Sequence, residues 1–179
     1  MTVIADYTPE EQRLLRSSVE AAAIAISAAS PGRGEETVSE GFAAAEFVMH
    51  SKPQYVGNTL VTSIVVETEA RVKAGDHFPD YTKEAAGPDA ERSSMDKLAA
   101  VAALLDAKAT ADEAAGYKQW LLDIADVTAK AGKEDQGFLG HGGVKVNDAE
   151  RQKLSDIARV LGIPEQFSTR AQQADPHLG

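Results

Sequence analysis

Two segments of this chain begin with the same helix-start signature, which constrains the fold more than any other feature. Thr8 to Glu11 and Thr110 to Glu113 both read Thr-x-x-Glu. In this capping box, a threonine hydroxyl accepts from a backbone N–H of the first helical turn, and the glutamate accepts from the threonine N–H. Apolar stripes follow at helical spacing: Leu15, Val19, Ala22, Ile26 and Ala29 after the first box, and Tyr117, Trp120, Leu121, Ile124 and Val127 after the second. The sequence therefore predicts long amphipathic helices at both places.

Three further segments carry helical periodicity. One covers about residues 35–49, one starts between residues 88 and 95, and one begins at Asn147. We expect Gly162 and Pro164 to end the last helix, since glycine readily adopts the left-handed backbone that closes a helix. The three apolar stripes are Val38, Phe42, Ala45 and Met49; Leu98, Val101, Ala102 and Leu105; and Leu154, Ile157, Ala158 and Leu161.

Residues 53–73 form the least regular segment. Its stretch LVTSIVV is rich in β-branched residues, which favour strands, but the uninterrupted segment is too long for an ordinary strand. Ser51 and Gln54 have the spacing of a capping box. The residues that would then share one helix face are Val56, Leu60, Ile64 and Thr68. We interpret the segment as a helix.

These patterns predict an all-α fold, an irregular bundle of about six amphipathic helices forming one domain over residues 1–179. The 31 alanines strengthen the prediction, because alanine has the highest intrinsic helix propensity. Leu14 and Ile24 lie off the stripe of the first helix, so a second contact surface is expected there. Outside the helices we expect a long loop at 75–87, a glycine-rich loop at 132–146, and frayed ends at 1–7 and 168–179.

Composition excludes several classes of partner and site. The chain has 28 acidic and 18 basic residues, a formal net charge of −10, so nucleic acid and anionic membranes are not expected partners. It contains no cysteine, which excludes disulfide scaffolds and thiolate sites. The first fifteen residues lack the features of a secretory signal, and the chain is expected in the cytoplasm.

The segment Gly137 to Gly143 invites comparison with phosphate-binding loops. It follows a helix rather than a strand, and no lysine followed by serine or threonine comes after its glycines. It also lacks the alternating oxygen ligands of a calcium-binding loop. We interpret it as a structural connection that can still form a recognition surface, and its candidate binding residues are His141, Gly142 and Gly143.

Asp123 and Asp126 are the remaining candidates for a site. They stand one turn apart in one predicted helix, as paired carboxylates that share a proton or hold a metal do. Helical projection places Asp123 at the border of the apolar face, a candidate binding residue, and Asp126 on the solvated side. No catalytic triad can be nominated, and the four histidines have no metal-ligand spacing. We therefore assign no catalytic residue, no metal ligand and no cofactor.

The segments WLLDIA from Trp120, GFLGHGGVKV from Gly137 and DAE from Asp148 resemble an uncharacterised family of bacterial proteins. That resemblance implies no particular activity. A helix ending in a glycine-bearing turn and restarting as Val-x-Asn-Asp-Ala-Glu is similar to the TerB-like helical domains linked to tellurite resistance. This second resemblance covers about fifty residues of the C-terminal third, as counted along the chain. It implies an all-helical fold and an association with metal-linked stress.

Three functional hypotheses follow. The first is a non-catalytic interaction or scaffold protein that binds a protein partner or a second copy of itself. The second is a TerB-like metal-associated stress protein, and the third is a small enzyme whose site is assembled from distant residues. An exposed apolar patch would favour the first, converging carboxylates the second, and a pocket with titratable groups of shifted pKa the third.

Overall fold

A computed structural model describes residues 2–29, 34–76, 80–131, 146 and 148–164, and these residues form a bundle of α-helices. No strand occurs among them, so the all-α prediction is confirmed. A short 3-10 turn, Ile4–Asp6, precedes the first helix. The α-helices are α1 (Pro9–Ala29), α2 (Gly34–His50), α3 (Thr59–Lys73), α4 (Tyr81–Ala85), α5 (Ala90–Lys108), α6 (Ala111–Ala131) and α7 (Asp148–Val160).

Helix α1 is the centre of the bundle. It contacts α2, α4, α5, α6 and α7, and every residue from Ala21 to Ser27 is buried. Four of these seven residues are alanines, whose small side chains let neighbouring helices approach closely. Ile24 is 5% exposed and Leu14 packs against the core, so the predicted second contact surface of this helix is confirmed.

Both predicted capping boxes are present. At α1 the Thr8 N–H donates to Glu11 (2.8 Å), and the Glu11 N–H donates to the Thr8 hydroxyl (3.3 Å). At α6 the same pair of bonds joins Thr110 and Glu113, at 3.3 and 3.4 Å. Local sequence therefore determines where these two helices begin.

The predicted start of the third helix is wrong. Helix α3 begins at Thr59 and is capped by Asn58, whose side chain accepts from the Val61 N–H (3.1 Å), while residues 52–57 form turns. Ser51 does not cap a helix, because its hydroxyl donates to Val48 and accepts from Trp120. Val56, expected on the buried face, is 78% exposed.

The predicted apolar face of the second helix is also wrong. Val38 and Phe42 are 45% and 73% exposed, whereas the face one residue round the helix is buried. That buried face consists of Thr37, Glu40, Ala44 and Val48. A polar side chain can be buried on this face when it has a hydrogen-bond partner. For example, the Ser27 hydroxyl donates to the Glu40 carboxylate. In the described structure, the part of the most apolar stripe of α2 that contains Val38 and Phe42 therefore stays exposed.

Two predicted irregular segments are more ordered than the sequence indicates. The expected loop 75–87 contains α4, capped by Asp80, which accepts from the Lys83 N–H (3.2 Å). The expected frayed start is held in place, since the Thr2 N–H donates to Glu113 (2.7 Å). Of the glycine-rich loop 132–146 only Val146 is described, and the predicted frayed end 168–179 lies outside the described residues.

None of the helices in the described parts of the chain is long and apolar enough to cross a membrane.

The end of α7 supports a prediction about stability. Gly162 has φ +70°, and the Ile163 N–H donates back to the Ala158 carbonyl (2.9 Å), as expected of a left-handed helix end. We expect Gly162→Ala to lower the free energy of unfolding by about 1 kcal/mol, because a Cβ disfavours this backbone conformation. Urea unfolding measures the change.

Gly57→Ala is the matched control. Gly57 does not have a left-handed φ, and a Cβ there would meet open space. Its effect should stay within about 0.5 kcal/mol. Equal losses at Gly162 and Gly57 would contradict the backbone explanation.

Candidate functional site

Asp123, a candidate binding residue from the sequence, is occupied by internal hydrogen bonds. The Tyr55 hydroxyl donates to one carboxylate oxygen, and the Gln119 side-chain amide donates to the other (2.7 Å). Burial and the adjacent carboxylate raise the pKa of Tyr55, so its phenol remains a donor. In this structure Asp123 ties the turn after α2 to α6.

Asp126 and Asp123 do not form a joint site in the structure, because their carboxylates have different hydrogen-bond partners. Asp126 accepts from the Lys130 side chain (2.6 Å) within α6. Its side chain is only 18% exposed, so the expected solvated position is wrong. Burial raises the pKa of Asp126, and the Lys130 charge opposes that shift.

The other sequence candidates, His141, Gly142 and Gly143, lie outside the described residues.

The described structure contains a cleft bounded by α1, α2, α3 and α4, which we call the apolar cleft. Its volume is 540 Å³, within the range of ligand pockets. Its floor consists of the buried side chains Ala23, Ile24, Ala44, Val48, Ile64 and Ile124. Its walls carry the partly exposed Val19, Ala45, Met49 and Val72.

Three helices each present a continuous face to the apolar cleft. On α2 the lining residues run from Gly41 to Met49, and on α3 from Ile64 to Val72, both at steps of i, i+3, i+4, i+7 and i+8. At 1.5 Å per residue, each face is roughly 12 Å long. Helix α1 contributes a face from Arg13 to Ile24, roughly 16 Å long. Inside a helical bundle, faces of this kind are usually covered by another packed helix.

The apolar stripe predicted for α2 continues out of this cleft. Ala45 and Met49 line the cleft, whereas Val38 and Phe42 are exposed beyond it on the same helix face. An apolar stripe of this length that no described element covers is typical of an interaction surface.

Charged residues surround the apolar cleft, and its three arginines all have acidic partners. Arg16 donates to Glu67 (2.8 Å), which links α1 to α3 at the rim. Arg13 pairs with Glu10 (2.9 Å) on the same helix. Arg71 pairs with Asp76 (3.2 Å). The positive charges of the rim are therefore largely neutralised.

Glu20 is the titratable group whose setting in the cleft is unusual. It lies on α1 between the floor and the rim, and burial together with the negative charge of Glu84 raises the pKa of its carboxyl. Lys97 and Arg71 are the positive charges that oppose this shift. Within the described residues, neither Glu20 nor Glu84 accepts a side-chain hydrogen bond or forms an ion pair.

A cluster of two hydroxyls and a carboxylate includes Tyr81, which lines the apolar cleft. The Tyr81 hydroxyl lies 2.8 Å from Ser27 Oγ, which donates to Glu40. Burial raises the pKa of Tyr81, so its phenol stays protonated. No histidine belongs to the cluster among the described residues, and both Ser27 and Glu40 are buried. We therefore interpret the cluster as a structural link between α1, α2 and α4.

Among the described residues, no group of three or more histidine, aspartate or glutamate side chains could hold a metal ion. No protein-family model matches the chain, and neither a curated protein nor a solved structure matches it. The two resemblances based on the C-terminal third therefore stay predictions.

Sequence reasoning missed the apolar cleft, because its residues are spread over positions 13–124 and no local motif unites them. The sequence of α2 did contain one signal of the cleft, because this helix has two faces that could each pack against the core. The stripe through Phe42 is the more apolar, whereas the face through Ala44 and Val48 is the one that packs. A helix with two such faces indicates a core contact and a second, external contact.

Proposed function

We propose that this chain is a non-catalytic interaction protein whose apolar cleft binds the apolar face of a helix from a partner protein. The observation that carries the proposal is the arrangement of three helix faces around one cleft, continued outward by Val38 and Phe42. Helix-in-groove recognition uses anchors at i, i+3, i+4 and i+7, and the cleft walls repeat with that spacing. A length of roughly 12 Å accommodates about two turns of a helix.

Binding of a neutral model helix tests the proposal. The probe is a fluorescein-labelled peptide of about 18 residues, with leucines at i, i+3, i+4 and i+7 and with alanine and glutamine elsewhere, called the glutamine peptide. We expect saturable binding by fluorescence anisotropy. The double variant Ala45→Gln/Met49→Gln should weaken it more than about tenfold, because polar side chains replace the apolar wall without changing charge.

Val56→Gln/Val66→Gln is the matched control. Both valines are exposed, and neither lines the apolar cleft. This variant adds the same polar groups and should bind the glutamine peptide as the wild type does. Equal weakening by the two double variants, or no binding to the wild type, would count against the proposed function.

A small enzyme is the second candidate, and Glu20 is the observation that favours it. A carboxyl whose pKa is raised by burial in a cleft resembles the general acids of many active sites.

The TerB-like alternative, the cytoplasmic location and the exclusion of nucleic acid and membrane partners stay predictions. Native mass spectrometry of freshly purified protein separates the alternatives, since a retained small ligand favours the enzyme and a bound metal favours the TerB-like protein.

A further inference from the structure

The apolar cleft has an excess of negative charge on the side where α1 meets α4. Each rim arginine has an acidic partner in Glu10, Glu67 or Asp76. Glu20 and Glu84, in contrast, line the cleft, and among the described residues their carboxylates have no hydrogen-bond or ion-pair partner. The whole chain is also acidic, with a net charge of −10. Local and global charge therefore both favour a basic occupant.

The position of Glu20 makes its charge available to an occupant. Glu20 follows Ser17 by three residues and precedes Ile24 by four, so all three side chains belong to the α1 face that lines the cleft. The charges acting on it from other elements are Glu84 on α4, which repels it, and Arg71 on α3 and Lys97 on α5, which attract it. A cation placed between Glu20 and Glu84 would relieve their mutual repulsion.

We propose that the partner helix carries a lysine or arginine beside its apolar stripe, and that Glu20 and Glu84 bind this charge when the stripe enters the cleft. The inference rests on the proposed function and adds the chemistry of the partner to it. Hydrophobic contacts with the floor and walls supply affinity, whereas the two carboxylates select a basic helix over an acidic one and fix its register.

Two charged versions of the glutamine peptide test the inference. The lysine peptide has lysines, and the glutamate peptide glutamates, at the two positions that flank the leucine stripe. We expect wild-type protein to bind the lysine peptide at least about tenfold more tightly than the glutamate peptide at low salt. Glu20→Gln/Glu84→Gln should bring the two affinities to within about threefold of each other, because the amides keep the shape but remove the charges. Added salt should also reduce the difference.

Glu35→Gln/Glu46→Gln is the matched control for net charge. Both glutamates are exposed on α2 and lie outside the cleft lining, and the variant removes the same two negative charges. It should keep the preference for the lysine peptide. If this control reduces the preference as much as Glu20→Gln/Glu84→Gln does, long-range charge explains the selectivity and the inference is overturned.

The glutamine peptide distinguishes failure of the inference from failure of the proposed function. If all three peptides bind equally well, and Ala45→Gln/Met49→Gln still weakens them, the proposed function stands and the charge selection is overturned. If none of the peptides binds, both are overturned.

Sedimentation of the free protein should show a monomer. A dimer that Ala45→Gln/Met49→Gln dissociates would identify a second copy as the occupant and would also overturn the inference.

Discussion

Trp120→Ala is expected to lower the free energy of unfolding by about 3 to 5 kcal/mol, the usual loss when a large buried aromatic is truncated. Trp120 is fully buried on α6, and its indole N–H donates to Ser51 Oγ (3.0 Å). The ring also meets Tyr117 edge-on, with centroids 5.4 Å apart, and Tyr55 at 6.5 Å. The variant therefore removes packing and a hydrogen bond at the junction of α6 with the end of α2.

Urea unfolding followed by circular dichroism measures this loss. Val56→Ala is the control, since Val56 lies in the nearby turn and is 78% exposed. Its effect should stay within about 0.5 kcal/mol. If Trp120→Ala cost no more than Val56→Ala, the packing of α6 against α2 and the turn would be placed incorrectly.

Glu113→Gln should lower the free energy of unfolding by about 1.5 to 3 kcal/mol at neutral pH, the range for hydrogen bonds to a charged group. Glu113 is 5% exposed, and its carboxylate accepts from Thr2, Thr59 and Thr110. A glutamine keeps the shape but turns one acceptor oxygen into an NH₂ group that faces other donors. The substitution therefore removes the acceptor that joins the N-terminal segment, α3 and α6.

The effect of Glu113→Gln should also depend on pH. Burial disfavours the charged carboxylate, but hydrogen bonds from Thr110, Thr2 and Thr59 outweigh burial and lower the pKa of Glu113 from 4.5 to about 2. Because the folded-state pKa lies below the unfolded one, the charged group stabilises the fold fully above pH 4.5, and this contribution is lost as the pH falls toward 2.

The measurement is the stability of wild type minus that of Glu113→Gln across this range. Taking the difference reduces the contribution of other carboxylates, such as Glu11, whose pKa is also lowered, first of all by its hydrogen bond from Lys108. The difference should be constant above pH 4.5 and shrink below it. A difference that does not change between pH 4.5 and 2 would contradict a hydrogen-bonded Glu113 carboxylate in the folded state.

Features encoded within one helical turn could be predicted from the sequence. Thr8 and Thr110 each act on residues of the next turn, and Gly162 acts through its own backbone, so these helix boundaries follow from local chemistry. The start of α3 could not be predicted in this way. The hydroxyl of Ser51, expected to cap a helix, instead accepts from Trp120, which is 69 residues away in sequence.

The face of α2 that packs in the core also depends on distant residues. Hydrophobicity alone selects the stripe through Phe42, but Glu40 is buried because Ser27 donates a hydrogen bond to it. The apolar cleft depends in turn on how α1, α2 and α3 are placed relative to one another. Of the candidate binding residues drawn from sequence, which are Asp123, His141, Gly142 and Gly143, only Asp123 lies in the described structure, and its hydrogen bonds with Tyr55 and Gln119 are internal.

The central position of α1 has a consequence for how the chain folds during synthesis. Helix α1 is synthesised before the helices that supply most of its contacts, because it packs most extensively against α5 and also against α6 and α7. Until residues 90–160 have been made, the alanine-rich half of α1 lacks most of the side chains that bury it. Contacts this distant in sequence carry a large loop-closure cost and form late. Folding of the core is therefore expected to be completed only once α5, α6 and α7 have been made, rather than progressively along the chain.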